Sequence, residues 1–230
     1  MTVSGSTSYA MNAVQMIDKA FHRLGKASEG EAISARMYTD GLSSLNLILK
    51  SRIGTSDHLS LRTEGSLSLV ANQASYALTA PLRITSVRRR NSSGYDVPMN
   101  SYSREEYFDT PNKTASPSVP IAWYHDPQGS SSTLYVWPAP DSNAVAEYTL
   151  QYTYLRRPDD MVGSADSLDM PQEWIDPVIW MLADDLETEY PVNDPRLAMK
   201  VERKAAQAKA ILDSWDTEGQ SIYVQPDPGF

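Results

Sequence analysis

The sequence predicts an α+β protein: a helical bundle built from the N- and C-terminal helices, with an antiparallel β domain, a small sandwich or barrel, inserted between them. Three observations carry this expectation. Apolar residues recur at three and four positions near the N-terminus, alternate with polar ones through the middle, and return to the helical period after Pro171. The expected organisation is a helical bundle from residues 1–56 and 158–215, a β domain over 57–157, and an extended tail over 216–230.

Each element has its own signal. Ala10, Ala13, Val14, Ile17, Ala20, Phe21 and Leu24 share one helix face, with Ser8 as the expected cap and Gly25 as the stop. A second helical run carries Ile33, Met37, Leu42, Leu45, Ile48 and Leu49, encloses Gly41 and closes at Gly54. Two short-linked helices of this kind pack as an antiparallel hairpin. From about Asp57 the period becomes two, at Leu59/Leu61, Leu67/Leu69 and Tyr76/Leu78, then through Leu82–Val87 and Ala146–Tyr154. Asn91-Ser92-Ser93-Gly94 and Asp126-Pro127-Gln128-Gly129 read as turns between strands. Pro171 and Glu173 suit a helix start, and Trp174, Val178, Met181, Leu182 and Leu186 form its buried stripe. A last helix is expected from Asp194 to Trp215 on Leu197, Val201, Ala205, Ala208, Ile211 and Leu212. After Asp216 the chain has no period and little apolar content around Ile222, Tyr223, Val224 and Phe230.

Composition narrows the function. The chain has 230 residues, a net charge of −9 and 41% hydrophobic residues, which suits a folded globular protein. It has no cysteine, which excludes disulfides, thiol catalysis and thiolate metal sites. The acidic balance argues against a surface that grips phosphate backbones throughout. No basic flank with an apolar run suggests a signal peptide, and no apolar stretch approaches the ~20 residues that span a bilayer.

The residues that carry chemistry elsewhere are sparse here. His22, His58 and His125 stand apart with no metal-ligand spacing, so no metal site is expected. There is no G-x-S-x-G elbow and no phosphate-binding glycine loop, so no catalytic residue and no cofactor is assigned. Asp176, Asp184, Asp185, Glu187 and Glu189 supply carboxylates, with Asp185 and Glu189 on one helix face. A cell-wall glycan hydrolase needs only two such groups roughly 5 to 9.5 Å apart, which keeps that reading open. Trp123, Trp137 and the tyrosine-rich strands keep open a glycan- or receptor-binding β module. Arg88, Arg89 and Arg90 form the compact basic run, a candidate interface or phosphate contact. Arg196, Lys200, Arg203 and Lys204 form a basic stripe at helical spacing, facing solvent or an acidic partner.

Four segments in order resemble the head–tail adaptor (head-completion or connector) proteins of tailed bacteriophages. Asp40-Gly41-Leu42-Ser43-Ser44-Leu45-Asn46-Leu47-Ile48-Leu49-Lys50-Ser51 is similar to their xGLxxLNxMLKSW helix, with Arg52 where the aromatic is usual. Tyr107-Phe108-Asp109-Thr110-Pro111-Asn112-Lys113 resembles their Y-x-x-x-P-N-K loop. Leu134-Tyr135-Val136-Trp137-Pro138-Ala139-Pro140 is similar to LYxWPxP, and Leu168–Trp174 to LxLPxEW.

The resemblance implies a non-enzymatic virion protein at the head–tail junction, made in the host cytoplasm. Such adaptors form a ring, usually of about twelve copies, beneath the portal. The ring extends the DNA channel, retains the packaged DNA and joins head to tail. Expected partners are the portal protein, a tail or nozzle protein, neighbouring copies, and DNA passing through the lumen without specific binding. The expected partner-binding residues are Ile222, Tyr223, Val224, Phe230, Arg196, Lys200 and Arg203.

Overall fold

A computed structural model describes residues 8–27, 30, 32–53, 59–79, 81–111, 113, 117–129 and 131–215. In chain order these form α1 (Ala13–Arg23), α2 (Ala35–Ile53), a 3-10 turn at Leu59–Leu61, β1 (Arg62–Ser68), β2 (Ser75–Leu78) and β3 (Pro81–Asn91). There follow β4 (Asp96–Pro98), β5 (Asn100–Ser101), α3 (Arg104–Asp109), β6 (Ala122–Gln128), β7 (Ser131–Trp137) and α4 (Ser142–Glu147). The described residues close with β8 (Tyr148–Arg156), a 3-10 turn at Gln172–Trp174, α5 (Ile175–Glu187) and α6 (Pro195–Trp215). The α+β class with helices flanking a β region is borne out. The chain divides into two compact units: Ser60–Pro158, and the flanking segments together.

The helical unit buries the periodic faces. Met16, Ile17, Ala20 and Phe21 of α1, Leu45 of α2, and Val178, Leu182 and Leu186 of α5 are almost wholly inaccessible. The first helix packs on both α2 and α5, and α6 packs on α5. Asn12, not Ser8, caps α1: its side chain accepts from Gln15 N–H while Gln15 reaches back to Asn12 N–H. Such a box contributes about 1 kcal/mol and places the helix start four residues later than expected. Gly25, at φ +66, turns the chain out of α1 as expected. Gly41 is where α2 meets α1, since a Cβ there would lie 2.5 Å from Ile17 Cγ2.

The returning chain is stitched to the first helices through backbone. Asn46 Nδ2 donates to the Met161 carbonyl (2.8 Å) and Asn46 Oδ1 accepts from Met161 N–H (3.0 Å). Nearby, Lys50 pairs with Asp160 at 2.6 Å. Asp166 accepts from Val162 and Gly163 N–H, and its own carbonyl accepts from Ala13 N–H. Those N–H groups, Gly163 first, hold the Asp166 carboxyl below its ordinary range.

The β unit has two four-stranded sheets, in the orders β1-β8-β3-β4 and β2-β7-β6-β5. They share one core containing Ile84, Val87, Trp123, Leu134, Val136 and Leu150. Their pairings are antiparallel except between β5 and β6, where a short parallel pair departs from the expected pattern. Other local expectations are corrected. Leu59–Leu61 is a 3-10 turn, and Ala146 and Glu147 belong to α4, capped by Asp141 through Ala144 N–H. Asp126, Pro127 and Gln128 extend β6 opposite Thr133, Ser132 and Ser131 instead of turning. Pro127 lies beyond the reach of β5, on a stretch of β6 whose register pairs are with β7 alone among the described residues. Ile211 is 51% exposed, whereas its neighbour Leu212 is buried.

The Asn46 bridge predicts a measurable asymmetry within α2. Asn46→Ala leaves both Met161 backbone groups without their partner and is expected to lower stability by about 1–3 kcal/mol. Leu47→Ala, at a residue 64% exposed, is expected to stay within about 0.5 kcal/mol of the parent. Urea unfolding followed by far-UV circular dichroism measures both, and equal losses would refute the bridge's importance.

Candidate functional site

The Arg88–Arg90 run is engaged within the β unit. Arg88 reaches Glu64 at 2.5 Å and Asp96 at 3.1 Å. Arg90 makes a two-pronged contact with Asp96, 2.7 Å on each arm. Arg89 donates to the Pro120 carbonyl at 3.1 Å and lies 5.5 Å from the Tyr148 ring centroid. The Arg90 guanidinium, with a smaller contribution from Arg88, holds the Asp96 carboxyl below its ordinary range. All three arginines are half-buried, and intrachain contacts account for their placement without a phosphate.

The Tyr107 loop is an aromatic clasp. Tyr107 is buried and stacks on Tyr124, which in turn stacks on Tyr135, with centroids 5.6 and 5.8 Å apart. Lys113 Nζ donates to the carbonyls of Phe108 (2.8 Å) and Thr110 (3.2 Å), so it closes the C-terminal end of α3. Pro111 lies between these groups in sequence, and Asn112 is outside the described residues. The other motifs are also joints. After β7, the carbonyls of Trp137, Ala139 and Pro140 accept from Ile121, Ser118 and Asn72 N–H. Ahead of α5, Trp174 is 2% exposed and Asp169 accepts from Asp159 N–H. Arg52, in the aromatic's place, is 3% exposed and pairs with Asp213 of α6.

The α6 stripe differs from these clusters. Arg196, Lys200 and Arg203 are exposed and make no ion pair among the described residues, while Lys204 is half-buried. Met199 stands among them, 60% exposed, an apolar side chain that the stripe's charges did not single out in the sequence. Elsewhere on the helical unit, α2, α5 and α6 enclose a groove of about 300 Å³. Its floor includes Ile48, Met181 and Ala205, and its rim carries Asp184, Asp185 and Glu202, with Lys209 at one side. Desolvation first, then the charges of Glu202, Glu187 and Asp185, raise the Asp184 carboxyl above its ordinary range. The tail residues Ile222, Tyr223, Val224 and Phe230 lie outside the described residues.

The remaining candidates are dispersed or occupied. His22 lies 3.5 Å from Asp18 one turn away; burial lowers the pKa of His125; His58 is outside the described residues. No group of three or more metal-binding side chains occurs among the described residues. Asp176 pairs with Arg23, whose guanidinium lies 4.0 Å over Trp180. Asp185 and Glu189 lie at the C-terminal end of α5, where Thr188 keeps helical dihedrals and Tyr190 N–H still donates to the Leu186 carbonyl at 2.8 Å. Trp123 is 4% exposed within the sheet core, which removes it as a sugar-stacking surface.

The Asp96 cluster yields a pH prediction. A depressed folded-state pKa contributes stability above the unfolded carboxyl range, and that contribution is lost as pH falls through the folded value. Asp96→Ala is therefore expected to lower the unfolding midpoint at neutral pH, with the gap from the parent closing in acid. Thermal unfolding at several pH values measures the gap; one independent of pH would contradict this assignment.

No curated protein matches the sequence. Among solved structures, a chain from the neck of an empty GTA particle, computed with C6 symmetry, shares 12% identity with a TM-score of 0.28. That match covers 85% of this chain and 93% of the other. The SU10 adaptor protein family matches residues 11–225 as one continuous span, from the capping segment of α1 past the end of α6. The resemblance read from the four motifs is thus borne out: this chain belongs to the SU10 adaptor protein family.

Proposed function

We propose that the protein is a structural component of a tailed-phage virion that forms a ring of about twelve copies beneath the portal and joins head to tail. The observation carrying this reading is the family match over residues 11–225, which takes in helices and β unit alike. In the ring, the helical unit docks on the portal and on neighbouring copies, and the β unit meets the tail or nozzle protein. The tail segment Ile222–Val224 and Phe230 supplies apolar anchors for the portal or a neighbour.

Charge suits the channel role. A net −9 per copy, repeated around a ring, disfavours adhesion of DNA and lets it pass through the lumen without specific binding. The Arg88–Arg90 run does not oppose this, because Glu64 and Asp96 offset its charge locally. The protein in this reading is a mechanical part of the particle and carries no reaction.

The deciding measurement is the mass of the purified chain, alone and after mixing with the portal of the same particle. A portal ring gaining about a dozen copies is expected. A chain that stays monomeric and ignores the portal would overturn the adaptor reading. Deleting residues 217–230 is expected to weaken portal attachment, measured by the same mass shift. Unchanged attachment would remove the tail from the interface while leaving the ring intact.

A further inference from the structure

The α6 stripe and the acidic groove are complementary in two respects. The stripe presents an exposed Met199 ringed by the cations of Arg196, Lys200 and Arg203. The groove presents an apolar floor at Ile48, Met181 and Ala205 under the carboxylates of Asp184, Asp185 and Glu202. None of those three carboxylates makes an ion pair among the described residues, and desolvation first, then the like charges of Glu202, Glu187 and Asp185, leave Asp184 harder to ionise. An opposite charge brought over the rim relieves that repulsion, and a methionine's flexible thioether fills an irregular apolar floor.

We infer that the groove between α2, α5 and α6 receives the first turns of α6 from a second copy of this chain, Met199 seated on the floor and the basic stripe against the acidic rim. The inference rests on the ring reading above and names its subunit contact.

The direction of the two surfaces supports a chain of copies over a closed pair. Successive residues step about 100° around a helix, so the mean direction of Arg196, Met199, Lys200 and Arg203 lies roughly 120° from that of Glu202, Ala205, Ala206 and Lys209. Faces so far apart on one helix do not meet the same partner through a two-fold contact. Each copy instead gives its stripe to one neighbour and its groove to another, the head-to-tail arrangement from which rings are built. Lys209 at the groove's side disfavours an incoming cation there, which biases the stripe toward Asp184 and Asp185.

Charge reversal tests the pairing in the full chain mixed with the portal, counting bound copies by native mass spectrometry. Lys200→Glu with Arg203→Glu, and separately Asp184→Lys with Asp185→Lys, are each expected to raise the concentration needed to fill the ring about tenfold or more. The chain carrying all four changes sets a reversed stripe against a reversed groove and is expected to regain filling. Far-UV circular dichroism checks that each variant folds. Should a reversed variant unfold, Lys200→Gln with Arg203→Gln is expected to weaken filling in the same direction by a smaller factor.

Normal filling by both reversed pairs, or by the neutralised pair, overturns the contact while the adaptor reading stands. Loss in both pairs with no recovery in the folded four-change chain overturns the pairing as well. Failure of the unaltered chain to join the portal removes the adaptor reading, and this contact with it.

Discussion

The fold depends on how the chain, having left the helical unit after α2, is bound back into it. An insertion between Ser60 and Pro158 leaves the returning segment without a sequence-local partner, yet its buried backbone groups need hydrogen bonds. The solution is a side chain acting as a strand edge. Asn46 offers one donor and one acceptor to the same residue, Met161, as a paired strand would. A few residues on, Asp166 accepts two N–H groups and presents its carbonyl to Ala13, the first residue of α1. The returning segment is thereby fixed to both α1 and α2 at the place where the insertion would otherwise leave it independent.

Charge is divided between groups engaged inside the chain and groups left outside. Arg52–Asp213 and Arg23–Asp176 tie helices together, and Arg88 and Arg90 hold β3 against β1 and β4. The buried Arg52 takes a position where an aromatic would meet α6 by area alone. It is orientation that the ion pair adds, since desolvation offsets much of its attraction. The charges of Arg196, Lys200 and Arg203 on α6 and of Asp184, Asp185 and Glu202 on the groove rim make no ion pair among the described residues. Their arrangement in opposite signs on separate faces is an asymmetry that a single folded chain does not require for its own stability.

Periodic burial was legible in the sequence, whereas local contests were not. The stripes of α1, α5 and α6 and the alternation in β2 and β8 follow from side chains that must leave water. Leu59 and Leu61 mislead because two points do not define a period, and a 3-10 turn presents them as well as a strand. Ala146 and Glu147 alternate correctly, yet the Asp141 cap claims them for α4. Asp126–Gln128 has turn composition, but seven register pairs with β7 outweigh it. Ile211 and Leu212 are adjacent on a helix, so only one of them faces the core. For the candidate surfaces, the spacing of the basic stripe was visible, whereas Met199 standing among its charges was not singled out. The groove was not, because it is assembled from α2, α5 and α6, whose residues are far apart in sequence.

The division of the helical unit into two sequence segments has a consequence for the order of events on the ribosome. Residues 60–158 include the strands of both sheets, so this unit holds its own core partners once Pro158 has emerged. The apolar faces of α1 and α2, including Phe21 and Leu45, have no α5 to cover them until residues 175–187 follow. At roughly 5 to 20 residues per second, the interval is seconds long, during which those faces stand open to nonspecific association. Helix α6, made after α5, carries the outward charges, so this surface is completed only after the body beneath it is being closed.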